Sequence, residues 1–154
     1  MALAANPYTI GHNVQEIGNQ LGANAVFNAE FNLLHQVAGD AAASTTTAET
    51  AIAYFKTSQT LTRLMIIPTG AATASDTVYA TITVSVRDGA GGAAATVATL
   101  ITNVAGGSWV AFTPKSMGAL TNATIPAGGV LTYTVAKAST GTQLPAFKIF
   151  AEVA

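Results

Sequence analysis

The 154-residue chain has no cysteine, which excludes disulfide staples, thiolate metal sites and cysteine nucleophiles. Charge is scarce as well. Only 8% of residues are Asp, Glu, Lys or Arg, where a soluble domain carries roughly a quarter, and the formal net charge is -1. Lys and Arg never cluster in runs, so the electrostatic grip that nucleic acid demands is missing. No uninterrupted apolar run approaches the roughly 20 residues of a membrane-spanning helix. The opening MALAANPYTIG has neither the basic n-region nor the apolar core of a signal peptide. A surface this poor in charge resists association weakly, so contact with other protein is the expectation.

What the chain does have is alternation. In residues 77–87 (TVYATITVSVR), Val78, Ala80, Ile82, Val84 and Val86 alternate with Tyr79, Thr81, Thr83, Ser85 and Arg87. Period two over eleven positions, carried mostly by β-branched residues, predicts a strand with one apolar and one hydroxyl-rich face. Similar segments are predicted at 49–57, 61–67, 94–104, 109–112, 120–125, 130–137 and 146–153. They are divided by turns such as Asp88-Gly89, Gly106-Gly107 and Pro126-Ala127-Gly128-Gly129. About eight antiparallel strands without a credible helix among them predict an all-β sandwich over residues 49–154. Ahead of it, residues 1–25 are small and polar and read as an extended arm, and 41–48 as a connector. Segment 26–37 (VFNAEFNLLHQV) fits helical spacing and alternation alike; Asn28 and Asn32 tilt it towards a strand.

No catalytic, cofactor or metal constellation is identified, and the chain is expected to be non-enzymatic. His12 and His35 have no compact set of carboxylates beside them in sequence. Asp76 and Asp88 suit turn positions, and Gly89 to Gly92 lacks the Lys-Ser/Thr of a phosphate loop. Trp109, Tyr79 and Tyr133 are the material for a carbohydrate-stacking platform, although aromatics within strands ordinarily pack the core. Phe150 shares its parity with Lys148 and Glu152, and Tyr79 shares its face with Arg87. Aromatics among polar neighbours suit a contact between subunits, so Tyr79, Arg87, Lys148, Phe150 and Glu152 are the candidate interface residues.

Two stretches carry a resemblance. Residues 77–92 (TVYATITVSVRDGAGG) and 125–153, with a Pro-Ala-Gly-Gly lead into an alternating Val/Thr/Tyr strand, resemble the jelly-roll proteins that decorate or cement tailed-bacteriophage capsids. The likeness is an overall pattern across residues 50–153. It implies a jelly-roll sandwich that binds the major capsid protein and other copies of itself, often as a trimer. It also implies synthesis in the bacterial host cytoplasm, residence on the virion's capsid surface, and an N-terminal arm that reaches neighbouring subunits. The alternatives are a carbohydrate- or receptor-binding module of a phage fibre or tail, and, behind it, a β-sandwich glycan hydrolase.

Overall fold

The computed structural model describes residues 31–39, 47–138 and 143–154, and the predicted arm at 1–25 lies outside them. Nine strands run in chain order among the described residues, with no helix. They are β1 (Phe31–Val37), β2 (Thr50–Phe55), β3 (Gln59–Pro68), β4 (Ala80–Arg87), β5 (Ala95–Ile101), β6 (Lys115–Ser116), β7 (Thr124–Ile125), β8 (Gly129–Lys137) and β9 (Phe147–Val153). They form two antiparallel sheets. The first has the order β1-β9-β3-β6, with β7 also pairing β3, and the second has the order β2-β8-β4-β5. The all-β sandwich expected from the alternation is the fold observed.

The pairing has a simple logic. The first strand pairs with the last, the second with the eighth, and β4 with β5. The chain is thus one long antiparallel hairpin, wound so that successive pairs fall alternately in the two sheets. β1 registers Phe31 against Val153 and Val37 against Phe147, so this sheet is closed by the two most distant parts of the described chain.

Alternation then fills the space between the sheets. Ala80, Ile82, Val84 and Val86 of β4 point inward, facing Leu64 and Ile66 of β3 and Phe147, Ile149, Ala151 and Val153 of β9 across one continuous core. A register shift between β4 and β5 also lets the adjacent Val97 and Ala98 both be buried, as a bulge allows. Trp109 enters the core from a loop and meets Phe147 edge-on, with ring centroids 5.5 Å apart.

Segment 26–37 is a strand from Phe31 onward, the reading that Asn28 and Asn32 favoured, and residues 26–30 lie outside the described part. The structure corrects several other expectations. Because β1 is an integral strand of the first sheet, the sandwich does not begin at residue 49 as drawn from the series of predicted strands. The long strand at 77–87 starts only at Ala80. Ser75 accepts the N–H groups of Thr77 and Val78 and holds them in a turn, and Ala80 N–H donates to Thr102 Oγ1.

Segment 109–112 is not a strand: Trp109 makes one isolated bridge to Ala72, and Phe112 lies at φ 58°. Only the last two residues of 120–125 are extended, because Thr121 and Asn122 turn back to hydrogen-bond the Thr96 carbonyl at the edge of β5. Gly106-Gly107 turns as expected. A Cβ on Gly106 would fall 1.7 Å from the Ile101 carbonyl oxygen, so only glycine fits.

Burial ranks the core positions. Leu64→Ala or Ile149→Ala, each removing an all but inaccessible side chain, is expected to cost about 2–5 kcal/mol by denaturant unfolding. Thr99→Ala, on the exposed side of β5, should stay within about 0.5 kcal/mol of the parent.

Candidate interaction surfaces

The sandwich has two outer faces of different chemistry. On the second sheet the outward row is hydroxyl-rich, with Thr81, Thr83 and Ser85 of β4 beside Thr132 and Thr134 of β8. One charged brace crosses it. Arg87 donates through Nε to Glu49 Oε1 at 2.9 Å and through Nη2 to Oε2, while its third nitrogen donates to the Gly92 carbonyl. The Thr132 hydroxyl donates to the same Glu49 carboxylate. These hydrogen bonds, Arg87 first and Thr132 second, hold Glu49 down to about 2. The guanidinium is raised above its ordinary value, chiefly by the hydrogen bond to Glu49. Arg87 is therefore spent within the chain, where it ties the segment ahead of β2 to the end of β4.

The first sheet is different. Its outward residues form three cross-strand rows over β1, β9 and β3. The middle row is Leu34, Phe150 and Met65. One flanking row is Gln36, Lys148 and Ile67, and the other brings Glu152 beside Arg63. Leu34 is 54% exposed, and Phe150, Met65 and Ile67 are partly so. The result is an apolar ridge with Lys148 on one side and the Glu152–Arg63 pair on the other. Arg63 Nε lies 3.6 Å from Glu152 Oε2; the other ion pair among the described residues is Arg87–Glu49, so Lys148 belongs to neither.

The second apolar feature is a loop. Val104, Val110 and Phe112 are three of the five exposed large hydrophobic side chains among the described residues, and all lie between β5 and β6. The loop is held at many points. Val104 N–H donates to Asp76 Oδ1 at 3.0 Å, Lys115 Nζ donates to the Gly107 carbonyl at 2.8 Å, and Ala74 N–H donates to Ser108 Oγ at 3.0 Å. Trp109 and Ala72 exchange backbone hydrogen bonds, and Phe112 N–H donates to the Pro68 carbonyl at 2.7 Å. Phe112, 74% exposed, sits in the left-handed region at φ 58°, where a bulky aromatic is strained.

The five candidate interface residues are thus divided. Lys148, Phe150 and Glu152 share the outer face of the first sheet, Arg87 is in the brace on the opposite face, and half-buried Tyr79 precedes β4. Sequence reasoning missed Leu34, Met65 and Ile67. The available signal was that LTRLMII is apolar at both parities, more than one buried face requires. It also missed Val110 and Phe112, which WVAF disguised as a core strand.

The glycan platform changes most. Trp109 is 2% exposed and presents no stacking face to solvent, while Tyr133 is half-buried against the core, its ring 5.3 Å from that of His35. Tyr54, 68% exposed, instead borders a surface groove of about 230 Å³ lined also by Leu33, Phe55 and Gln59.

Each described carboxylate has a structural partner. Asp88 accepts the N–H groups of Ala90 and Gly92, Asp76 that of Val104, and Glu49 and Glu152 are in ion pairs. Among the described residues, no group of three or more His, Cys, Asp or Glu is placed to hold a metal ion, and no helix is long and apolar enough to cross a membrane. Comparison with protein-family models, with curated proteins and with solved structures gives no match for this chain.

The brace makes a prediction in pH. Its carboxylate titrates lower in the folded chain than unfolded, so its stabilisation is present above pH 4.5 and is lost as pH falls from 4.5 through about 2. Melting temperatures of the parent and Glu49→Gln should differ most above pH 4.5 and converge towards pH 2, with the parent higher wherever they differ. A gap that does not change with pH would rule out this source.

Proposed function

We propose that the chain is a non-enzymatic virion structural protein, a jelly-roll sandwich that binds the outer surface of a phage capsid in many copies and stabilises the shell. The observation that carries the reading is the anchored loop with exposed Val104, Val110 and Phe112. Apolar side chains on a loop held by this many hydrogen bonds lose little conformational entropy on docking, which is what a small binding surface requires. The backbone strain at Phe112 supports the same reading, because such strain persists where the surrounding structure enforces it and gathers at binding sites.

Other features agree with it. With β7 set aside, the wound hairpin and its order β1-β9-β3-β6 against β2-β8-β4-β5 support the jelly-roll reading. Low charge lets copies lie close together on a particle, and repetition turns modest single contacts into tight binding. The glycan-binding alternative now rests on Tyr54 and its groove, since Trp109 is buried in the sandwich and Tyr133 is half-buried against its core.

The test is to mix the purified chain with undecorated phage shells and measure bound copies by co-sedimentation. Binding is expected for the parent. Phe112→Gly should weaken it at least tenfold while leaving thermal stability unchanged or raised by about 1 kcal/mol, since glycine adopts positive φ freely. A chain that is strictly monomeric and ignores shells would overturn the proposal. Parent-like binding by Phe112→Gly would remove the loop from it.

A further inference from the structure

We infer that the outer face of the first sheet is a self-complementary contact, on which a second copy of this chain packs about a two-fold axis. Its basis is the set of three rows over β1, β9 and β3. Leu34, Phe150 and Met65 lie in register across the sheet and are all at least partly exposed. On β9, Lys148 stands two residues to one side of Phe150 and Glu152 two residues to the other, so both share its face.

When two such faces are opposed with Phe150 over Phe150, the two-fold axis in the interface can run along the strands, on β9, or across them. Along the strands, Lys148 meets Lys148 and Glu152 meets Glu152, which is repulsive. Across the strands, on the line of Leu34, Phe150 and Met65, the apolar row is laid on itself and the two β9 strands run antiparallel. Each Lys148 then falls over the other copy's Glu152. The charge pattern selects this second arrangement, and no other charged pair has to be broken to make it. Arg63, already beside Glu152, falls opposite Ile67, whose apolar surface its long stem can cover.

Area limits the strength of the contact. A strand of seven residues spans roughly 23 Å, and three to four strands span roughly 15–20 Å, giving about 350–450 Å² per copy. That is about half of the ~800 Å² each partner contributes to a standard interface. Free copies should therefore associate weakly, with a dissociation constant on the order of 10–1,000 μM. A two-fold contact cannot close a trimer, so this surface acts in addition to any three-fold association. The contact does not depend on shell binding, because the loop at 104–112 is a separate feature.

The two charges allow a test by mixing, using sedimentation equilibrium of the full chain from about 10 μM to about 1 mM, the range set by the expected affinity. In Lys148→Glu the arrangement sets the new carboxylate over the other copy's Glu152. In Glu152→Lys it sets the new ammonium group over the other copy's Lys148. Each variant alone should associate at least tenfold more weakly than the parent. An equimolar mixture pairs opposite charges at both positions and should return to within about threefold of the parent.

Circular dichroism and melting temperature should show both variants folded, since the substitutions are on the outer face and the Arg63–Glu152 pair is partly exposed. A parent that stays monomeric throughout would overturn the inference. So would single variants that associate like the parent, the result expected if a trimer is held by other surfaces, or a mixture that does not recover. A chain that dimerises in this way yet ignores phage shells would refute the proposed function and leave this contact standing.

Discussion

The structure depends on β9 being a central strand. It has β1 on one edge and β3 on the other, so both rows of its backbone groups are used in ladders, and the pleat sends its side chains alternately to the two sides of the sheet. Phe147, Ile149, Ala151 and Val153 go to the core, which fixes register. A slip of one residue would bury Lys148 and Glu152 and expose the aromatic that Trp109 packs against. Lys148, Phe150 and Glu152 are therefore on the surface as a direct result of what lies beneath them. The charge order that makes the outer face self-complementary is held in place by the burial of its neighbours.

The same strand brings together the distant parts of the chain. Pairing β1 with β9 closes a loop of more than a hundred residues, whose entropy must be lost before the contact gives anything back. The local β4–β5 pair, joined by the Asp88 turn, has no such cost, and it was also the easiest part to read from sequence. Wherever a strand had to satisfy one buried face, alternation revealed it, as in 130–137 and 146–153. Asp88 was legible for a related reason, because a short carboxylate bonding the N–H groups two and four residues on is a local event, whereas the bond from Val104 to Asp76 spans twenty-eight residues.

What was not legible was decided by tertiary contact. WVAF looks like a strand, yet Trp109 is a plug against Phe147, while Phe112 is pinned by Pro68 and points its surface to solvent. The alternation of 77–87 is intact, but the hydroxyl of Ser75 captures the first N–H groups and delays the strand by three residues. The outward exposure of Met65 and Ile67 depends on β3 lying in a sheet whose other side is already filled, and no local pattern states that. Arg87 was placed correctly on the hydroxyl-rich face of its strand. That it is taken by Glu49, thirty-eight residues earlier, follows only from β2 and β4 both flanking β8.

Low charge connects the two proposed contacts. With so few ionic groups, their positions rather than their number give direction: one pair braces the second sheet, and the first sheet has Lys148 on one side of an apolar row and the Arg63–Glu152 pair on the other. A face of that size holds two free copies only weakly. On a particle, however, the loop would fix copies side by side, and the effective concentration of one face near another would rise far above that in solution. A contact too weak to matter before assembly would then lock neighbouring copies after it. That sequence also avoids premature aggregation, which a stronger apolar face on a chain of net charge -1 would invite.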